Sequence, residues 1–327
     1  MRTPPMTQIT NQHDIPLLLA AWLVSDTYDY NHDPMYISAT SLMKPIKQTA
    51  LAPLAKGNSE AEIPDLSDYI ARSLGNSVHD SVERVWTTKS LLEKSLKFIG
   101  KGELIPFIEV NPKVPDPDKH QAYIEQRATR KIKGYTIGGK FDAVLDGIVH
   151  DIKTTSAWAV AKGTRDEDYA LQGSIYRWLN QDKITEDYIR VCFLFTDWSK
   201  AHVDKEGYPP ARCAYKDIPL LSLEETERWI TSRLDQITKA RKDPMKAPDC
   251  TDEELWLNSP KHKYYSDASK LTRATKVFTD LNEASIFAST RPAGGVIISE
   301  PLEARRCSYC DAAPVCEQKH KYYIPEP

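Results

Sequence analysis

Long hydrophobic runs are missing from this chain of 327 residues, which argues against a membrane-spanning protein. The longest apolar run, residues 17–24, is far shorter than the roughly 20 residues that a transmembrane helix needs. No basic segment precedes this run and no small-residue cleavage site follows it, so a secretory signal is not expected either. We therefore expect an intracellular protein, in the cytoplasm, with no membrane partner.

Cysteine is scarce, and an excess of basic residues is absent. There are 6 cysteines in all, and none lies among residues 1–191. So few cysteines in a chain of this length do not predict a disulfide-stabilised scaffold. The net charge of -3 does not indicate a nucleic-acid-binding protein, although a local basic groove is sufficient for binding. The remaining composition, 41% hydrophobic and 27% charged, is ordinary for a soluble globular protein.

The most informative stretch is residues 134–155, which reads as two strands joined at Asp146-Gly147. This dipeptide favours a two-residue hairpin turn because both positions tolerate positive φ. Such a turn determines the register of the two strands. Residues 142–145 are therefore expected to face residues 151–148, in that order.

Side chains alternate between the two faces of a strand, so the hairpin has one apolar and one polar face. The apolar face, which we predict to be core, carries Phe141, Ala143, Leu145, Ile148, Ile152 and one polar residue, His150. The polar face carries Asp142, Asp151 and Lys153 and, nearer the turn, Val144 and Val149. Two directly opposed carboxylates destabilise a sheet, whereas a bound divalent cation turns their repulsion into attraction. The hairpin therefore predicts a cation site, with a solvated acidic sheet face as the alternative.

A helix is predicted to begin near Asp65 or Ser67, either of which can cap it, and to end near Trp86. Its apolar stripe, predicted to face the core, consists of Ile70, Leu74, Val78 and Val82. A second stripe consists of Gly75, His79 and Glu83. A glycine inside a helix costs about 1 kcal/mol relative to alanine and is tolerated where another element packs closely. The second stripe therefore indicates close packing beside His79, and a surface histidine is the alternative.

Other polar candidates lie outside the hairpin and this helix. Gln172 and Tyr176 are four residues apart on a helix predicted after the hairpin, so they share one side of it. Glu109, in a strand predicted over residues 103–111, and Glu125, just before the hairpin, are candidate auxiliary acidic residues, as is Glu83. The alternative for each of them is an ordinary polar surface.

The order of these motifs resembles that of the PD-(D/E)XK nuclease superfamily, most closely its RecB-like exonuclease branch. The residues that carry the resemblance are His79, Asp142, Asp151, Lys153, Gln172 and Tyr176. The resemblance implies a restriction-endonuclease-like α/β (α+β) fold, in which a mixed central sheet is flanked by helices. It also implies that Asp142 and Asp151 bind Mg2+ or Mn2+ and that Lys153 positions or activates water. His79 would lie near the metal, and Gln172 and Tyr176 would guide the DNA strand.

The C-terminal tail carries Cys307, Cys310 and Cys316, spaced closely enough to bind one ion or cluster. Three unliganded thiols are the alternative. The triplet resembles the C-terminal cysteines of iron–sulfur RecB-like nucleases, which staple the ends of the domain around a 4Fe-4S cluster. Those nucleases take a fourth cysteine from the N-terminal segment, which has none here. Cys250 would complete a four-cysteine set for a 4Fe-4S cluster, the choice that we favour, and His320 would instead complete a Zn2+ site.

We predict three segments: an N-terminal helical segment over residues 1–64, a nuclease core over residues 65–243, and a cysteine-stapled C-terminal extension over residues 244–327. The resemblance implies a metal-dependent DNA nuclease, an exonuclease rather than an endonuclease. Two alternatives are a non-catalytic DNA-binding or scaffolding protein with a nuclease fold and a structure-selective endonuclease. The domain style also resembles bacteriophage nucleases. This implies DNA recombination, repair or processing in the cytoplasm of a bacterial host, beside a single-strand annealing protein or recombinase.

Overall fold

The structure, a computed structural model, describes residues 9–25, 31, 33–55, 63–163 and 165–324. The chain divides into two compact units. The first unit is Met1–Met43 with Ile63–Asp235, and the second unit is Lys44–Glu62 with Gln236–Pro327. Residues 44–62 thus group with the C-terminal part of the chain, whereas the predicted boundaries follow residues 64 and 243. The predicted segments were defined by function, and that division stays a prediction.

Along the described part of the chain, a run of helices over residues 39–98 is followed by a run of strands over residues 108–155, and helices and strands are mixed after that. The α-helices are α1 (Leu17–Leu23), α2 (Ala39–Leu42), α3 (Ile46–Ala55), α4 (Ile70–Thr87), α5 (Lys89–Phe98), α6 (Ala157–Ala161), α7 (Asp166–Leu179), α8 (Leu223–Lys242) and α9 (Leu281–Ser289). The strands are β1 (Tyr36–Ser38), β2 (Ile108–Val110), β3 (His120–Ile124), β4 (Arg127–Ile132), β5 (Tyr135–Lys140), β6 (Ala143–Leu145), β7 (Ile148–Thr155), β8 (Tyr188–Phe195), β9 (Cys213–Pro219), β10 (Lys261–Tyr265), β11 (Lys276–Phe278) and β12 (Val296–Glu300). Short 3-10 helices span Leu66–Tyr69, Gly102–Phe107, Lys200–His202, Pro244–Lys246, Arg305–Tyr309, Ala313–Val315 and Glu317–Lys321. Within the described residues, no helix has the length and apolar character needed to cross a membrane.

The first unit is built on a six-stranded sheet in the order β2-β3-β6-β7-β8-β9. β7 and β8 run parallel, whereas β6–β7 and β8–β9 are antiparallel pairs, so the sheet is mixed. Helices α4 and α7 pack against it. A smaller sheet in the same unit has the strand order β1-β5-β4. The predicted fold class, α/β with a mixed central sheet flanked by helices, is confirmed.

The hairpin at Asp146 and Gly147 forms as predicted. Both turn residues have positive φ, at 48° and 81°. Residues 143–145 pair antiparallel with residues 150–148 in the predicted register. The ladder stops short of Asp142, which lies between β5 and β6. Its Oδ2 instead accepts a hydrogen bond of 2.7 Å from the backbone N–H of Ile152, in the partner strand.

The hairpin is buried on both faces and not on the predicted core face alone. Phe141 and Ala143, on the predicted core face, are 0% and 7% exposed, as expected. Val144 and Val149, on the polar face, are 0% exposed. Ile148 and Ile152, on the predicted core face, are only half-buried. Helix α7 packs over the polar face, where a Cβ atom added to its Gly173 would lie 3.0 Å from Ile189 of the neighbouring strand β8. Strand alternation separates the two faces, but it does not reveal which of them a helix will cover more closely.

Helix α4 buries its predicted apolar stripe only in part. Ile70 and Leu74 of that stripe are 41% and 46% exposed. Val78 and Val82 are half-buried, and so is the second stripe of Gly75, His79 and Glu83. A Cβ atom added to Gly75 would lie 3.4 Å from Thr154 Oγ1, so the glycine marks the close packing of α4 on β7 that was predicted.

Two other predicted elements differ in their boundaries. The helix expected from Asp65 begins with a 3-10 turn, Leu66–Tyr69, which Asp65 caps, and α4 follows it. The strand expected over residues 103–111 is reduced to β2, because the residues before it form a 3-10 helix that contains Pro106. Proline has no backbone N–H to donate to a strand ladder.

The second unit contains α3, the cysteine-bearing tail and a small antiparallel sheet. Its central strand, β10, pairs with β11 on one side and β12 on the other. Helix α9 packs against this sheet over a small core of Tyr264, Phe278 and Ala284.

Candidate functional site

Three side chains from separate parts of the first unit converge at one point. His79 Nδ1 lies 3.3 Å from Asp142 Oδ1 and 3.8 Å from Glu125 Oε1. One ligand atom from each of the three residues lies within 4.8 Å of the other two. Imidazole nitrogen and carboxylate oxygen are common metal ligands, so this group can hold a single divalent cation. We call these three residues, with Asp151 and Lys153, the acidic centre.

Glu125 reaches this point because of an unusual backbone conformation. It lies between β3 and β4 with φ at 50°, in the left-handed region that costs a residue with a side chain roughly 1 kcal/mol. Its backbone N–H donates a hydrogen bond of 2.9 Å to the carbonyl oxygen of Asp142, on the adjacent chain segment. Its carboxylate is 10% exposed and forms an ion pair with Lys140. The bend therefore places a buried carboxylate beside His79.

The two carboxylates stabilise positive charge on His79. Two hydrogen bonds, the stronger one to Asp142 and the weaker one to Glu125, raise the pKa of His79 to about 10, although burial opposes the shift. In the absence of a cation, the imidazole is therefore protonated at neutral pH. A divalent cation bound here would take the place of that proton, since metal-bound histidine is deprotonated. The surroundings of His79 fit a cation.

Asp151 is the most buried member of the acidic centre, at 2% exposure. Burial raises the pKa of its carboxyl group, the Lys153 charge lowers it, and the Asp142 charge raises it. Asp151 Oδ2 forms an ion pair with Lys153 Nζ, 2.7 Å away, and no other described residue donates to it. Asp151 is not one of the three residues grouped around His79. A buried carboxylate oxygen with a single cationic partner is nevertheless suited to a metal ion.

Gln172 and Tyr176 are joined to this centre from α7. Gln172 Nε2 donates hydrogen bonds to Asp151 Oδ1, at 3.2 Å, and to Tyr176 Oη, at 2.9 Å. Tyr176 is 5% exposed and packs beside Gly139, where an added Cβ atom would lie 3.0 Å from the tyrosine ring. These contacts orient Asp151, and the predicted role of the pair in guiding DNA stays a prediction.

The other two candidate acidic residues do not join the group around His79. Glu83 is half-buried one helical turn beyond His79. Glu109 accepts hydrogen bonds from the backbone N–H of Asp116, at 3.0 Å, and from Lys119 Nζ, at 3.1 Å. These contacts lower the pKa of Glu109 and connect it to the loop that follows β2. The auxiliary roles proposed for Glu83 and Glu109 stay predictions.

Four cysteines of the second unit line one small pocket, which we call the cysteine pocket: Cys250, Cys307, Cys310 and Cys316. The side chain of Gln318 holds Cys250 there. It accepts a hydrogen bond of 2.8 Å from the Cys250 N–H and donates one of 2.9 Å to the Cys250 carbonyl oxygen. His320, the alternative fourth ligand, is exposed and does not line the pocket. The structure therefore brings Cys250 to the triplet.

The spacing and environment of these sulfurs limit what they can bind. Burial raises the pKa of Cys250 to about 12 and that of Cys310 to about 11, so both thiols are neutral without a metal. Among the described residues, no three cysteine sulfurs lie within 4.8 Å of one another. The choice between a 4Fe-4S cluster and Zn2+ therefore stays a prediction.

No protein-family model and no curated protein matches this chain. Among solved structures, the chain is similar to SSO0001, with a TM-score of 0.40 and 19% identity over 73% of this chain and 89% of that one. It is also similar to a presumed exonuclease from Eubacterium rectale, with a TM-score of 0.32 and 11% identity over 69% of this chain and 90% of that one. Both scores are too low for either likeness to carry an argument about function.

Proposed function

We propose that the protein is a divalent-metal-dependent DNA nuclease of the PD-(D/E)XK type, related to the RecB-like branch. The observation that carries the proposal is a convergence: His79 contacts Asp142, and Gln172 and Lys153 both contact Asp151. These residues come from four separate motifs of the sequence. A solvated acidic surface would have no reason to bury Asp151 or to surround it with these particular partners.

Each residue of the acidic centre has a role in this proposal. Asp142 and Asp151 would hold Mg2+ or Mn2+, together with His79. The bound ion would polarise the scissile phosphate and stabilise the leaving oxygen. The Lys153 ammonium group, 2.7 Å from Asp151 Oδ2, would orient the attacking water. Gln172 would hold the other oxygen of Asp151 in place.

DNA is the proposed substrate, and exonuclease action is preferred because the motif order follows the RecB-like branch. A role in recombination or DNA processing of a bacteriophage, in the cytoplasm of the bacterial host, follows from the same likeness. An annealing protein or recombinase would be the partner.

The test is to incubate the purified protein with linear and circular DNA and Mn2+. We expect loss of linear DNA and no change in the circles. Asp151→Ala should abolish the loss, whereas Asp235→Ala, which removes an exposed carboxylate paired with Lys133, should retain it. Nicked circles would favour a structure-selective endonuclease. No cleavage of either substrate by wild-type protein would overturn the proposal and favour a non-catalytic scaffold.

For the second unit, we propose that the cysteine pocket binds a 4Fe-4S cluster with a structural role, with Zn2+ as the alternative. The support is the gathering of four half-buried thiols around one pocket. An absorption spectrum of anaerobically purified protein, with analysis of iron, sulfide and zinc, tests the proposal. Protein free of all three would contradict it.

A further inference from the structure

Helix α3 forms one wall of the cysteine pocket without supplying a thiol. Lys47, Gln48 and Leu51 of this helix line the pocket. They are 8%, 7% and 1% exposed, so a cationic and an amide side chain are buried together with an apolar one. Burial of a charged or amide group is costly unless it is paired, and the partners therefore show what the helix holds.

Lys47 is paired with the residue that precedes Cys250. Its ammonium group forms an ion pair with Asp249, and Lys321 Nζ lies 2.9 Å from the other oxygen of the same carboxylate. Asp249 thus links α3, the Cys250 segment and the end of the tail.

Gln48 is paired with the residue that follows Cys310. Its Nε2 donates a hydrogen bond of 2.9 Å to Asp311 Oδ1. Lys44 Nζ, just before α3, lies 3.2 Å from Asp311 Oδ2. The helix therefore holds two cysteine-bearing segments that are far apart in the sequence, each through a carboxylate next to the cysteine.

The charge of the pocket also suits a metal–thiolate centre. Lys47, Arg306 and Lys319 line it together with the four cysteines. Four thiolates around a divalent ion leave a net negative charge, which nearby cations stabilise.

We propose that Lys47 and Gln48 are positioning residues for a metal centre in the cysteine pocket. The retention of metal by this pocket would depend on both residues. They hold the Cys250 and Cys310 segments at a fixed separation, so that the sulfurs are in place before metal arrives. This inference rests on the proposed metal-binding role of the four cysteines.

The experiment compares wild-type protein with Lys47→Met and Gln48→Met, which keep the side-chain length and remove the polar contact. Lys246→Met is the matched control, because Lys246 is an exposed lysine of the same unit that pairs locally with Asp243. Each protein is purified anaerobically, its iron, sulfide and zinc are measured, and the loss of metal to a chelator is followed by absorbance. Loss of a supporting contact typically lowers metal affinity about 10- to 100-fold, and we expect at least the lower figure for Lys47→Met. The control should match wild type.

Two further measurements separate positioning from a general effect on folding. Lys47→Arg should restore metal retention, because it preserves the cation. The melting temperature should fall more for the metal-loaded variants than for the metal-stripped ones, since the contacts act through the centre. If wild-type protein binds metal and the Lys47 and Gln48 variants retain it equally well, the positioning role is overturned, but the cysteine-site proposal is not. Wild type without metal would overturn the cysteine-site proposal, and this inference with it.

Discussion

The acidic centre of the first unit and the cysteine pocket of the second unit balance their charge in different ways. In the acidic centre, positive protein groups already occupy the positions beside the carboxylates: protonated His79 beside Asp142, and Lys153 beside Asp151. In the cysteine pocket, buried thiols such as Cys250 are neutral, and the cations belong to the wall. The first arrangement is balanced in charge without metal, and a cation that bound there would displace the proton of His79. In the second arrangement, a metal would convert the neutral thiols to thiolates, beside cations such as Lys47 that already pair with a carboxylate.

This difference predicts that substitutions in the two sites affect activity, metal content and stability differently. A substitution in the acidic centre should remove activity and leave the fold intact. A substitution in the cysteine pocket should remove metal and, with it, stability. The following predictions test that contrast, beginning with the largest expected effect.

Lys153→Met should reduce DNA cleavage at least about 100-fold, because the ammonium group that orients water is lost. The melting temperature should stay close to that of wild type. Cleavage rates on linear DNA with Mn2+, measured beside thermal denaturation, check both parts. The control is Lys216→Met, which removes an exposed lysine of β9 that pairs with Asp166. Wild-type cleavage by Lys153→Met would remove this lysine from the mechanism.

Cys250→Ser should lose most of the metal of the cysteine pocket and lower the melting temperature, because the fourth sulfur ligand is gone. His320→Ala should retain both, because His320 lies outside the pocket. Metal analysis and thermal denaturation of the two variants check the assignment. If His320→Ala lost the metal and Cys250→Ser retained it, His320 would be the fourth ligand and zinc would be favoured.

Glu125→Gly should weaken Mn2+ binding about 10- to 100-fold, while the backbone becomes less strained. Glycine adopts φ at 50° without penalty, so the substitution removes the carboxylate and keeps the bend. Calorimetric titration with Mn2+ measures the first effect, and thermal denaturation the second. Lys133→Gly is the control, since Lys133 has φ at 49° and lies outside the group around His79. Unchanged Mn2+ affinity would limit Glu125 to a structural role in the bend.

Gln172→Leu should have the smallest effect, a loss of up to about tenfold in kcat with weaker Mn2+ binding. The reason is that Gln172 holds Asp151 Oδ1 through a hydrogen bond of 3.2 Å. A role in guiding DNA would instead raise KM for DNA and leave Mn2+ affinity unchanged. Gln181→Leu, two residues beyond the end of the same helix, serves as the control.

Local features of the chain were predictable where a few neighbouring residues decide the backbone. The turn at Asp146 and Gly147 and the register of residues 143–145 formed as expected, because both follow from which residues tolerate positive φ. The cap at Asp65 also formed as expected. In contrast, the exposure of Ile70 and Leu74 was not predictable, because it depends on which side of α4 meets the sheet.

By itself, the sequence determined the hairpin, the alternation of polar and apolar residues along it, and the spacing of the cysteine triplet, since each depends on short stretches of chain. The tertiary structure alone decided that Glu125 lies beside His79 and that Lys47 pairs with the neighbour of Cys250. The physical reason is that such contacts join segments that are distant in the chain. Their geometry follows from the packing of helices on a sheet or on a tail, which no local pattern of residues encodes.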